Sequence, residues 1–134
     1  GLLRHLVDKI NNHVNTITRY KEYYLKDAET MLISYGSSAR SALHILEHQR
    51  NKGIRVGLLE LQSLWPFPAE LIAEKCVNAR HIVVVEMNMG QITESVKLAV
   101  RNPERVFLAN RIDGVFITPT DIKNVLRIIQ GKGV

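Results

Sequence analysis

Four consecutive β-branched residues, Ile82-Val83-Val84-Val85, constrain the fold of this chain more than any other feature. Such side chains crowd a helix and suit a pleated strand. With no polar residue alternating among them, the strand must be buried on both faces, the habit of an interior strand in a parallel sheet. Parallel strands need long crossover connections, usually helical. The sequence on either side of the run should therefore alternate between strand and helix.

That alternation is present. Met31-Leu32-Ile33-Ser34-Tyr35 is a second apolar run, ended by Gly36, and Ser37-Ser38 open a helix carrying Ala39, Ala42, Leu43 and Leu46 on one face. Asn51-Lys52-Gly53 stops it. Ile54 to Leu61 reads as the next strand, and Pro68 suits a first helical position ahead of Leu71, Ile72 and Cys76. The β-branched run extends from His81 to Met87 as a central strand, after which Gly90-Gln91 lead into a helix with Ile92, Val96, Ala99 and Val100. Arg105 to Ala109 is a further strand, and 113–117 could add a short one. The last helix starts with Thr118 as cap, Pro119 in the first turn and Asp121 three residues after the cap. Ile122, Val125, Leu126 and Ile129 form its stripe, and Gly131 ends it. This pattern predicts an α/β three-layer sandwich with a mainly parallel sheet over residues 30–134.

Residues 1–29 read differently. Leu2, Leu3, Leu6, Val7, Ile10 and Val14 make one apolar helical stripe, and the stretch from Thr18 to Tyr24 is polar and aromatic without a period. A lone stripe needs a surface to lie on, so a connector helix and linker that dock on another domain or subunit are expected. The chain opens on Gly1 without an initiator methionine, which suggests a fragment or a processed chain.

Charge and cysteine content exclude several functions. The net charge of +5 arises from Lys and Arg spread along the chain, whereas a nucleic-acid surface gathers them beside aromatic platforms. No nucleic-acid partner is expected. No stretch approaches the ~20 apolar residues that span a bilayer, and the charged start is no signal peptide, so a cytoplasmic protein away from membranes is expected. The single cysteine, Cys76, allows no internal disulfide and no iron–sulfur cluster held by this chain alone, since such clusters normally take four thiolates. Its apolar helical setting reads as core.

Parallel α/β sheets place their sites at the carboxyl ends of the strands, and three loops there carry candidates. In the first, Gly36, Ser37, Ser38 and Arg40 offer free N–H groups, hydroxyls and a positive helix end, suited either to serine capping or to an anion. In the second, Glu86, Asn88 and Gln91 follow a hydrophobic strand, where polar groups either satisfy backbone or face a partner. In the third, Arg111 and Asp113 could pair around a turn at Gly114 or across an interface. His44-Ile45-Leu46-Glu47-His48 matches a zinc-peptidase pattern, but both histidines fall on the helix side away from the core stripe, and a zinc site needs an enclosed pocket. No metal site is assigned. No catalytic triad, CxxC or carboxylate pair stands out, nor does the glycine-aspartate-glycine start of a diphosphate–magnesium motif. No catalytic residue is assigned.

Taken in order, Tyr35-Gly36-Ser37-Ser38-Ala39-Arg40, Leu61-Gln62-Ser63-Leu64-Trp65-Pro66-Phe67-Pro68, Val85-Glu86-Met87-Asn88-Met89-Gly90-Gln91 and Arg111-Ile112-Asp113-Gly114 resemble the alpha subunits of 2-oxoacid:ferredoxin oxidoreductases. The likeness runs to the 2-oxoglutarate synthase branch and covers essentially the whole chain. The resemblance implies a transketolase carboxyl-terminal-like domain, often with one antiparallel edge strand. It also implies a reaction: oxidative decarboxylation of a 2-oxoacid with coenzyme A to acyl-CoA, carbon dioxide and reduced ferredoxin. Thiamine diphosphate, magnesium and iron–sulfur clusters would belong to other domains and chains, with none bound by this domain alone. The expected partners are the other domains and subunits of an oligomeric enzyme, with ferredoxin and coenzyme A reached through the complex. The domain would serve assembly and active-site framing and have no turnover in isolation. Alternatives are the equivalent domain of a pyruvate dehydrogenase beta subunit or transketolase, against which Trp65-Pro66-Phe67-Pro68 and Glu86-Met87-Asn88 argue, or a free-standing anion-binding module.

Overall fold

The computed structural model describes residues 19–63, 67–86, 90–110 and 117–131. The elements are β1 (Tyr20–Tyr23), β2 (Thr30–Tyr35), α1 (Ser38–Asn51), β3 (Val56–Leu61), α2 (Ala69–Lys75), β4 (His81–Val85), α3 (Gln91–Ala99), a 3-10 turn (Pro103–Arg105), β5 (Val106–Ala109) and α4 (Pro119–Gly131). The five strands form one sheet in the order β1-β3-β2-β4-β5. β2 pairs in parallel with β3 and β4, and β4 in parallel with β5, whereas β1 runs antiparallel to β3.

Side-chain alternation sorts the core into two layers. On one face Met31, Ile33, Leu59, Leu61, Ile82 and Val84 pack against Ile72 and Cys76 near α2 and Ile92 and Val96 of α3. On the other, Leu32, Leu58, Val83 and Val85 meet Ala42, Ile45 and Leu46 of α1 and Ile122 and Leu126 of α4. The sheet is thus covered on both sides, which gives the three layers expected. The β-branched run is an interior strand, one place from the middle, which β2 occupies. α4 starts as its sequence indicates: the Thr118 N–H donates to the Asp121 carboxylate at 2.8 Å, and the Asp121 N–H approaches Thr118 Oγ1 at 3.4 Å.

One segment departs from the sequence reading. Residues 20–23, expected within a linker, are a sheet strand, with Tyr20 opposite Leu61 and Tyr23 opposite Leu58. The α/β unit therefore begins before residue 30. As an edge strand β1 leaves Tyr20, Lys21 and Glu22 exposed, so it shows no apolar alternation; charged residues are a usual way of blunting a sheet edge. The stripe from Leu2 to Val14, the strand suggested at 113–117 (save Ile117, which is coil) and the motif residues Leu64–Pro66 lie outside the described residues.

The chain is drawn tightly across the amino edge of the sheet. A Cβ on Gly57 would sit 2.8 Å from both the Ala28 Cβ and the Tyr24 carbonyl oxygen, so only glycine lets the β1–β2 turn cross β3 there. Arg50, near the end of α1, secures that turn. Its guanidinium donates to both Asp27 carboxylate oxygens and to the carbonyls of Tyr24 and Val56, and lies 4.7 Å from the Tyr24 ring centre. Arg105 acts similarly, donating to the carbonyls of Cys76, Ala79, Arg101 and Asn102 after α2 and α3. No helix among the described residues is long and apolar enough to cross a membrane.

Candidate functional site at the carboxyl edge

The register aligns the strand ends. Tyr35 pairs with Leu61, Ser34 with Val85, and Val85 with Ala109, so Gly36, Gln62, Glu86 and Asn110 leave the sheet along one edge. Gly36 makes the turn from β2 into α1 at a φ of +66°, a conformation glycine adopts without penalty.

Two of the expected site residues turn inward. Ser38 is buried; its hydroxyl accepts from the Tyr35 N–H at 3.3 Å and lies within donating distance of the Tyr35 and Val85 carbonyls, at 2.9 and 3.0 Å. It ties the ends of β2 and β4 to the start of α1. Glu86 is 2% exposed. Its carboxylate accepts from the Ile92 N–H at 3.2 Å, the Thr93 N–H at 2.9 Å and the Thr93 hydroxyl. A carboxylate at the first turn of a helix satisfies orphan N–H groups and meets the positive end of the helix dipole. Both side chains are thus committed within the domain, where the sequence allowed them to face outward.

The others described remain at the surface. Gly36, Ser37, Arg40 and Gln91 are exposed. Gly36, Ser37 and Arg40 line a cleft of about 530 Å3 with Ser41 and Ile117, closed on one side where the Ser41 hydroxyl donates to the Ile117 carbonyl at 2.8 Å. Gln91 opens α3 on the opposite face of the sheet and is not in this cleft. Asn88, Arg111 and Asp113 lie outside the described residues. Sequence reasoning missed Ser41, although its place four residues after Ser37 puts both on one side of α1. It also missed an adjoining cleft of about 420 Å3 lined by Arg19, Tyr35, Gly36, Glu60, Leu61 and Gln62, because Arg19 arrives with the unforeseen edge strand.

Elsewhere the chemistry is muted. Burial pushes the Cys76 thiol up to about 12, which leaves it protonated and a poor ligand or nucleophile. His44 and Glu47 are exposed. His48, expected on the solvent side, is instead half-buried with its Nε2 enclosed and unpartnered among the described residues. Burial first, then Lys52, Lys123 and His44, hold its imidazole below the ordinary value. Among the described residues no group of three His, Cys, Asp or Glu is placed to hold a metal ion.

The sequence matches the family profile described as pyruvate:ferredoxin oxidoreductase core domain II over residues 28–122. It is 34% identical over 123 residues to the 2-oxoglutarate synthase subunit KorA of Methanothermobacter marburgensis, and 40% identical over 114 residues to the ketoisovalerate oxidoreductase subunit VorB of the same organism. These alignments take in 92% and 85% of this chain but 33% and 32% of the relatives, so the chain spans about a third of their length. Among solved structures, the 2-oxoglutarate:ferredoxin oxidoreductase from Magnetococcus marinus, with 2-oxoglutarate, coenzyme A and succinyl-CoA bound, superposes with a TM-score of 0.81 at 18% identity, over 95% of this chain and 22% of that one. A split-gene transketolase in its inactive beta4 tetramer superposes with a TM-score of 0.64, also at 18% identity, over 81% of this chain and 40% of that one. At such identities these two likenesses show the fold.

Proposed function

The chain belongs to the pyruvate:ferredoxin oxidoreductase core domain II family, and from that membership we propose that it is the carboxyl-terminal domain of the alpha subunit of a 2-oxoacid:ferredoxin oxidoreductase, with 2-oxoglutarate as substrate. The complete enzyme would convert the 2-oxoacid and coenzyme A to an acyl-CoA and carbon dioxide and pass the electrons to ferredoxin. The observation that carries this reading is the family match together with relatives named as 2-oxoacid oxidoreductase subunits. The transketolase alternative rests on likeness of fold alone.

The chain's donor set does not fit an iron–sulfur cluster: it has one cysteine, buried with its thiol held protonated. Clusters belong to other chains of the complex in this reading, as do thiamine diphosphate and its magnesium ion. The domain's part is assembly and framing. Ser37 and Arg40 beside their cleft, and Gln91 on the other face, are the described groups offered to neighbouring domains; Asn88, Arg111 and Asp113 complete the proposed contact edge. The setting is cytoplasmic, in an oligomer.

Three experiments test this. The chain alone, given 2-oxoglutarate, coenzyme A, thiamine diphosphate and a viologen dye, should show no turnover, and sustained dye reduction would refute the division of labour. In the complete complex, 2-oxoglutarate should outperform 2-oxoisovalerate and pyruvate. Arg40→Ala or Arg111→Ala should impair assembly or turnover while the domain stays folded by circular dichroism. If both variants assemble and turn over normally, the carboxyl edge is not the contact surface.

A further inference from the structure

The opposite, amino edge of the sheet holds a second constellation. Thr30 pairs with Val56 on one side and His81 on the other, so the residues one step earlier, Arg55, Glu29 and Arg80, form a row across three adjacent strands. Their backbones are already employed: the Glu29 and Thr30 N–H groups donate to the Arg55 carbonyl, and those of Arg80 and His81 to the Glu29 carbonyl. The row is therefore fixed, and its side chains are left to do the recognising.

Arg55 pairs with Glu29, the carboxylate of the row. Arg80 is exposed, and its guanidinium donates no hydrogen bond and joins no ion pair among the described residues. His81 is half-buried, its ring 5.9 Å from that of Phe107. Together with the apolar Ile54 and Ile129 these groups line a cleft of about 380 Å3. Two guanidinium groups and one carboxylate thus line the cleft beside an apolar wall, a net positive charge of one. Guanidinium forks match the planar or tetrahedral oxygens of carboxylate and phosphate.

We propose that this amino-edge cleft is an oxyanion site, taking a phosphate or carboxylate group of a small molecule between the Arg80 and Arg55 guanidinium groups with the His81 imidazole at its margin. The site lies at the far end of the strands from the carboxyl-edge loops and does not depend on the role proposed for them. His81 supplies a built-in reporter. Burial, then the charge of Arg80, holds its imidazole below the ordinary value, opposed by Glu29; a bound anion would offset Arg80 and move it upward.

The test is an NMR titration of the His81 imidazole in the full chain, with phosphate, acetate or chloride added at equal ionic strength. A saturable upward shift in the His81 titration midpoint with phosphate or acetate, absent with chloride, is expected. Stronger binding of phosphate would identify a phosphoryl ligand, and stronger binding of acetate a carboxylate. Arg80→Gln should weaken binding about tenfold, the loss of one charge-assisted partner, with Arg80→Lys intermediate and both variants melting like the parent chain in chloride. Equal responses to all three anions would reduce the effect to screening and overturn the proposal. So would undiminished binding by Arg80→Gln.

Discussion

At the carboxyl edge of the sheet, Glu86 turns inward and accepts hydrogen bonds from the Ile92 and Thr93 N–H groups at the start of α3; at the amino edge, Arg105 turns inward and donates to the Cys76 and Ala79 carbonyls after α2. The difference follows from topology. Crossover helices run against their strands, so free N–H groups collect at one edge and free carbonyls at the other. Each edge recruits the side-chain chemistry its helix ends lack. Polar residues at either edge are thus divided between the fold and the surface, and a candidate for function must be one the fold has not already taken. By that standard Arg40 and Gln91 remain at one edge, and Arg80 and His81 at the other.

The comparison can be broken most sharply at Glu86. Glu86→Ala leaves two buried N–H groups without their charged acceptor and should destabilise the domain by about 2–4 kcal/mol, read as a lower urea midpoint at unchanged slope. Glu86→Gln keeps an acceptor and should lose less. An alanine variant as stable as the parent would mean that the carboxyl edge is not held by this side chain. The counterpart at the amino edge is Arg105→Ala, expected to cost about 2 kcal/mol in the same measurement. A cost well below that would make the two edges unequal.

A smaller effect is expected at the start of α4, where Thr118→Ala removes a cap worth about 1 kcal/mol; amide exchange should rise there first and leave β2 protected. The smallest effect is one of pH, and it belongs to the amino-edge side, where His48 and His81 lie. Both imidazoles are held below the ordinary value, chiefly by burial. The unfolded chain therefore takes up protons before the folded one as pH falls below about 6.5. Stability should be full above that value and decline on acidification, so melting temperatures at successive pH values should fall, and fall less in His48→Gln. A melting temperature that does not change across this range would remove the asymmetry.

Most of the fold was legible because burial leaves a periodic trace. The apolar runs around Leu32 and Val84, the stripe of α4 and its Thr118–Asp121 start all lie where the sequence puts them. Elements without such a trace were not readable. β1 is exposed along most of its length and carries no alternation, so its sequence reads as a linker. Helical spacing alone puts His48 toward solvent and carries no trace of the enclosure of its Nε2 in the folded chain. The site was half legible for a similar reason. Chain order places Gly36–Arg40 and Glu86–Gln91 at one edge, but whether a side chain turns in or out depends on what lies within reach after folding. Glu86 meets residues six and seven positions ahead, a loop contact that leaves no periodic signature.

The direction of β1 has a mechanical consequence. Because it runs against β3, Tyr20 lies beside Leu61, and the polypeptide enters the sheet at the carboxyl edge; a parallel β1 on the same partners would have entered beside Leu58, about 10 Å away. A pull on the backbone at Arg19, directed away from that edge, acts along the strand axis. It loads the β1–β3 hydrogen bonds together, in shear, and does not peel them one at a time. Lys75 reinforces this clasp from α2, 2.6 Å from Glu22 and 6.0 Å from the Tyr20 ring centre. Tension reaching the domain through Arg19 would thus be borne by the whole four-residue strand at once.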